Sequence, residues 1–238
     1  MFKSTKLACV FVLCLAAVLV LASCGQDSSG SKTHYVPSDA LTAVTIYGYD
    51  DFASTDDRIT QYLYEEALLE GLQVGETIIG MRLQPRGSNV GGVFDFVDQT
   101  VPQFEVRLST SVNQPGSLSN TFSENRGADE VIVIPETSWE IVAADYHADE
   151  CEARRDADTG PCDFGPFIRF ANPFVYAGGS ILIEVASVGA TERSMFQYSH
   201  NLSGDQVRAV FEATSFDEAR IATSQDRLLP YIAFVYTD

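Results

Sequence analysis

Carboxylates dominate the residues of this 238-residue chain that could do chemistry. Asp and Glu number 33, and several stand close enough together to hold a hard cation. Calcium takes its ligands from carboxylate and carbonyl oxygens, so acidic loops are where such an ion would be sought. Asp50 and Asp51 with Asp56 and Asp57 form one cluster. Asp145, Asp149 and Glu150 around His147 form another. The third, Asp156-Ala-Asp158-Thr-Gly160, resembles the start of a calcium loop, but it lacks the next acidic position and has Phe167 where the closing Glu belongs. Asp56, Asp57, Asp156 and Asp158 are the leading calcium candidates, and solvated loops account for the same residues.

Catalytic patterns are absent. The chain has no GxSxG elbow, no HExxH helix and no phosphate-binding glycine loop. Its histidines are His34, His147 and His200. Ser199 precedes His200, but a triad is defined by placement in space, not along the chain. Acidic pairs are too common here to single out a glycosidase dyad. The expectation is therefore a protein that is not an enzyme, with a glycoside hydrolase as the enzymatic alternative. Aromatic rings could instead stack on sugar faces. Tyr47, Tyr49, Tyr62, Tyr64, Trp139, Tyr146 and Tyr198 are candidates by type. Tyr47 and Tyr49, flanking Gly48, are the preferred ligand-binding pair, whereas Trp139 in an alternating strand reads as core.

Lys and Arg number 15, giving a net charge of -18. Such a chain is repelled by a phosphate backbone, which argues against nucleic acid as a partner. The N-terminus places Lys3 and Lys6 before an apolar run from Leu7 to Leu21. That is the layout of a secretory signal, and the run is short for a membrane span. Leu21-Ala22-Ser23-Cys24 resembles the lipobox of bacterial lipoproteins. The resemblance implies cleavage before Cys24 and acylation of its thiol, hence a lipid anchor in the cell envelope. Gly25, in place of the Asp that retains such proteins at an inner membrane, leans towards the outer membrane where one exists. Loss of residues 1–23 leaves 13 basic against 33 acidic residues, a charge of -20. Residues 24–34 include a polar Gly/Ser stretch from Gln26 to Thr33 and read as a flexible tether. Residues 35–238 read as one domain.

Cys151 and Cys162 are then the remaining pair. In an exported chain they point to a disulfide closing a surface loop. A pair of metal-bound thiolates and a redox pair are the rivals, and both lack CxxC spacing.

The elements that must position these groups are strands. Period-two alternation marks Ile79, Met81 and Leu83; Phe104, Val106 and Leu108; and Val207, Ala209 and Phe211. Val131 to Ile134, Ile181 to Val188 and Tyr231 to Tyr236 are apolar on both faces and read as central strands. Trp139 to Ala143 and Phe167 to Phe170 suggest two more. Arg58 to Tyr64 fits a strand better than a helix, with a turn or short helix after it. Thr121-Phe-Ser-Glu124 has capping-box spacing, ended by Gly127. With Gly/Pro turns at Asn113–Gly116 and Ala177–Ser180, the pattern predicts an all-β antiparallel sandwich.

A second resemblance rests on short motifs in order: Arg58 to Tyr64, Ile79 to Leu83, Leu108-Ser-Thr-Ser111, Leu118-Ser119, Phe122, Asn125, Gly127-Ala-Asp129, Phe170 to Tyr176 and Ile181-Leu-Ile-Glu-Val185. Together they resemble a family of exported bacterial β-sandwich proteins of unknown function, many with a PEP-CTERM sorting tag. This chain ends at Tyr236-Thr-Asp238 without that tag and carries the Cys151–Cys162 stretch besides. The resemblance implies a jelly-roll-like antiparallel β-sandwich outside the cytoplasm, and it supplies no activity or catalytic residue to carry over. Asn125 and Gly127 both tolerate left-handed backbone angles. The combined expectation is a lipid-anchored, non-catalytic binding module for polysaccharide or another envelope polymer. The alternative is a structural or protein-interaction component of the envelope.

Overall fold

The computed structural model describes residues 30–38, 50–53, 55, 57–85, 97–114, 116–147, 162–192, 194–196, 198–199, 208–212, 224–226 and 229–238. The strands among them, in chain order, are β1 (Lys32–Val36), β2 (Asp50–Ala53), β3 (Arg58–Tyr64), β4 (Thr77–Leu83), β5 (Gln99–Thr110), β6 (Val131–Ile141) and β7 (Ile168–Val175). β8 (Ile181–Val188), β9 (Ser194–Phe196), β10 (Tyr198–Ser199), β11 (Arg208–Glu212), β12 (Ser224–Asp226), β13 (Leu229–Pro230) and β14 (Ile232–Thr237) follow. Among the described residues, 3-10 turns include Glu66–Leu69, Phe122–Asn125 and Ala143–Tyr146.

One sheet runs β1-β14-β4-β7 and a second runs β12-β11-β3-β8-β5-β6, with every pairing antiparallel. β2 with β9 and β10 with β13 are small ribbons. The chain passes from β3 in the second sheet to β4 in the first and back to β5, then does the same through β6, β7 and β8. This is the all-β antiparallel sandwich that the alternation predicts, with the jelly-roll-like strand order that the resemblance implies. Tyr62, Tyr64, Phe104, Val106, Ile181 and Ile183 belong to one buried cluster with Ile78, Met81, Leu83, Phe174 and Phe234. Each such side chain contributes roughly 1.5–3 kcal/mol when removed from water.

Several boundaries depart from the sequence reading, each for a local reason. Lys32, Thr33 and His34, expected in the tether, are strand, because β1 pairs residue by residue with Tyr236, Val235 and Phe234. In β4 the core takes Ile78, not Ile79, together with Met81 and Leu83. Val235 faces Gly80 and Tyr236 faces Ile78, so a bulge resets the alternation there. Val131–Ile134 is not central. It joins the Trp139 segment as one strand, β6, at the edge of the six-stranded sheet. Pro135 falls where the register with β5 shifts, between Ile134 and Thr137, and an edge strand tolerates its missing N–H there. Pro173 occupies the same kind of place in β7, another edge strand. β8 and β14 are central, as expected.

Candidate functional site

Two places gather polar residues. The first lies on the outer face of the six-stranded sheet, under the segment from Ser111 to Glu130. Gln61, Glu184 and Arg107 stand side by side on β3, β8 and β5. The covering segment adds Leu118, which packs on Leu63 and Leu182, and the buried Phe122 and Asn125. Gln61 Nε2 donates to Glu184 Oε2 at 2.7 Å and to the Phe122 carbonyl at 3.1 Å. Asn125 Nδ2 donates to Gln61 Oε1 at 2.8 Å and to the Ser119 carbonyl at 2.9 Å. Its Oδ1 accepts from Ser119 N at 2.7 Å and Asn113 Nδ2 at 2.8 Å.

Arg126 grips Glu184 with both arms of its guanidinium, Nε at 3.0 Å and Nη2 at 2.6 Å. Arg107 bonds Glu105 at 2.7 Å and Glu130 at 3.0 Å. Asp129 accepts from both the backbone N–H and the hydroxyl of Thr110. The motif residues Gln61, Thr110, Ser119, Asn125, Gly127, Asp129 and Glu184 thus meet in one region. Their polar atoms face one another, and Gln61 and Asn125 are fully enclosed. The region fastens a long segment to a sheet. Gly127 does not adopt a positive φ. It is needed for room, since a Cβ there would lie 2.5 Å from the Thr110 carbonyl oxygen. Thr121 does not cap its 3-10 turn with its side chain. The Ser119 hydroxyl accepts from Thr121 N, ahead of the turn, at 3.0 Å and bonds the Glu124 carboxylate.

The second place is a cleft of about 650 Å³ at one end of the sandwich. Its lining includes Glu66, Leu69, Glu70, Leu72, Val74 and Tyr176. The segment between β3 and β4 builds one side, and the turn between β7 and β8 the other. Gly75 N donates to the Tyr176 carbonyl at 2.8 Å, and Tyr176 N to the Glu76 carbonyl at 2.9 Å. Gly71 and Gly75 have φ of 123° and 96°, and Gly178 has 93°, so the bends on both sides need glycine. Ser180 ties the walls together: its hydroxyl accepts from Glu66 N at 3.2 Å, and its carbonyl from Ser111 N at 2.9 Å. Leu69 and Leu72 are buried beneath, while Glu66 and Glu70 are exposed and Val74 is 73% exposed. The charged lining is acidic. Burial, and then the charge of Glu66, raise the Tyr176 pKa, and its hydroxyl donates to the Gly179 carbonyl at 2.8 Å. β1 supports the cleft from behind. His34 Nε2 lies 3.2 Å from the Leu68 carbonyl, and Lys32 Nζ 3.6 Å from Glu76 Oε1. Glu76 in turn accepts from Gln73 N at 2.6 Å.

The predicted site residues are scattered relative to these two places. Asp57 Oδ1 accepts from Gly189 N at 2.7 Å and so latches the loop after β8. Asp56, Asp156 and Asp158 lie outside the described residues, as do Cys24, Cys151, Tyr47, Tyr49 and His200. Among the described residues no three His, Cys, Asp or Glu side chains converge as a metal site would require. Cys162 is buried and disulfide-bonded. Tyr62, Tyr64 and Tyr146 are buried, and the Tyr64 hydroxyl donates to the Pro230 carbonyl at 2.8 Å. Trp139, partly buried, packs on the core with its ring centroid 4.4 Å from that of Phe104.

Glu66 and Glu70 escaped the sequence reading. The available signal was the run from Glu65 to Leu72, in which carboxylates and leucines mix ahead of Gly71 and Gly75. No family model matches the chain, and no curated protein matches it.

Proposed function

We propose that the chain is a lipid-anchored, extracytoplasmic, non-catalytic binding module, held by acylated Cys24 in the bacterial envelope, with its ligand in the cleft between Glu66–Val74 and Tyr176–Gly178. The cleft is the observation that carries this reading. It is concave, with leucines beneath it, exposed carboxylates and backbone groups at its rim, which is the composition of a ligand site. Its two carboxylates stand four residues apart on one segment and supply charge to a bound group. The ligand class is an envelope polymer, whether polysaccharide or protein. Cys151 is the partner we assign to Cys162, closing the loop between β6 and β7.

A glycan array and a peptide array, each probed with the mature chain from Gly25 in calcium and then in chelator, test this reading. Specific binding that Glu66→Gln with Glu70→Gln abolishes is the expected result. Binding that this variant leaves intact would place the ligand elsewhere. Loss of binding in chelator would bring back the acidic loops at Asp56, Asp57, Asp156 and Asp158. The structural alternative draws on Val112 and Val175, both more than half exposed. It predicts no binding on either array and a partner recovered by cross-linking at those residues.

A further inference from the structure

We infer that the cleft lies at the membrane-side end of the sandwich and docks a cationic, partly apolar peptide segment presented at that surface. This rests on the proposed anchor and cleft, and it narrows the ligand class. The placement comes from chain connectivity. The first described strand, β1, begins at Lys32, and Lys32 already touches Glu76 and pairs with Asp238 and Tyr236 at the cleft end. Cys24 and Lys32 are eight Cα–Cα steps apart, with seven residues between them. Fully extended, these steps reach at most about 29 Å.

The opposite end of the sandwich is farther away. It holds Gln99 and Glu192, whose contact (Glu192 N to Gln99 Oε1) is 3.4 Å. β5 runs from Gln99 to Thr110, and Thr110 pairs with Ile181 beside the cleft turn. Twelve residues of strand put the two ends roughly 35 Å apart. A tether shorter than the strand holds the cleft end nearer the bilayer on average.

The ligand class comes from charge. The charged lining residues are Glu66 and Glu70, and the chain as a whole is strongly acidic. Exposed Val74 offers an apolar surface alongside those carboxylates, with Leu69 and Leu72 buried beneath. A segment alternating Lys or Arg with small apolar side chains satisfies both features, while a neutral sugar satisfies neither and finds no exposed ring in the lining.

The test uses the full-length acylated protein in phosphatidylcholine vesicles. A fluorophore is placed at Val74 or at Glu192 through an unnatural amino acid, with an acceptor dye on the lipid. Energy transfer is expected to be clearly stronger from position 74, and equal or weaker transfer would overturn the placement. Intact mass reports acylation separately. A chain without the acyl group defeats the anchor reading and the placement with it, while the ligand arm still stands on its own. In that arm the probes are an acetylated Lys-Val-Lys-Val-Lys-Val amide and its Glu-for-Lys counterpart. The cationic peptide is expected to bind, about tenfold more weakly to the Glu66→Gln/Glu70→Gln protein and unchanged to Glu136→Gln/Glu140→Gln, a pair on exposed β6. Equal losses in both variants would mean that only the overall charge attracts the peptide, and would overturn the docking site. So would binding of the Glu peptide with similar affinity.

Discussion

The segment fastened over the six-stranded sheet and the cleft at the end of the sandwich use the same residue types to opposite ends. Around Gln61, Asn125 and Glu184, carboxylates, amides and guanidinium groups converge as they would in an active site, yet they bond one another. Around the cleft, the backbone is tied by Ser180 and Glu76 while the carboxylates of Glu66 and Glu70 face outward. Convergence of polar groups is therefore not the mark of a site here. Burial turns the first group into a fastening, because a buried charge is tolerable only with its partners in place. Exposure leaves the second free to meet a ligand.

The sharpest way to break this comparison is to remove one partner of the buried ion pair. Arg126→Ala leaves Glu184 enclosed without its guanidinium, and we expect a loss of about 3–5 kcal/mol in urea unfolding. Replacing both Arg126 and Glu184 by apolar residues should cost less than the two single changes added together, since they form one interacting unit. A loss under about 1 kcal/mol for Arg126→Ala would mean that the segment is held by Leu118 and Phe122 alone. Gly127→Ala comes next. Its new methyl would meet the Thr110 carbonyl and the Asp129 carboxylate, both within 2.6 Å. Overpacking of this kind costs roughly 1–3 kcal/mol, read as a lower unfolding midpoint with no change in ligand binding at the cleft.

Fold and site were unequally legible in the sequence. Continuous apolar runs located β8 and β14, and alternation located β3, β4 and β5, because one buried face imposes a period of two. It failed where the period breaks. The bulge at Gly80 and the prolines at 135 and 173 depend on which strand lies alongside, and sequence periodicity carries no record of that. Gln61, Ser119, Asn125 and Glu184 stood out as motif members, but they lie up to 123 positions apart and only strand pairing brings them together. The cleft was harder still. Glu66 and Glu70 look like any solvated pair in a chain with 33 acidic residues. What distinguishes them is the turn at Tyr176–Ser180, more than 100 positions away.

Alkaline pH sharpens the comparison further, through two tyrosines. Burial, and then the charge of Asp145, push the Tyr146 pKa far above its ordinary 10. In the unfolded chain the same phenol loses its proton near pH 10. Its contribution to stability is thus complete below pH 10 and declines as pH rises beyond it. The decline should approach about 1.4 kcal/mol per pH unit for this residue. Tyr146→Phe should remove that component of the slope between pH 10 and 11.5 in unfolding midpoints. Tyr176, at the cleft, is raised by burial and by Glu66. Glu66→Gln should therefore lower the Tyr176 titration slightly in ultraviolet difference spectra and leave Tyr146 where it was. An equal shift in both would argue for a general field rather than a local one.

The smallest expected effect decides most about the cleft. Glu66→Gln with Glu70→Gln changes two exposed side chains whose backbone carries the ties: Glu66 donates its N–H to Ser180, and Leu68 presents its carbonyl to His34. Neither tie needs a carboxylate. Unfolding stability should stay within about 0.5 kcal/mol of the parent, as for surface changes remote from any buried network. Set beside the loss expected for Arg126→Ala, this near-zero value separates a carboxylate that holds the fold from one available to something else. A loss of 2 kcal/mol or more would reverse that assignment. It would make Glu66 and Glu70 structural in the way Glu184 is, and the cleft a seam between two turns.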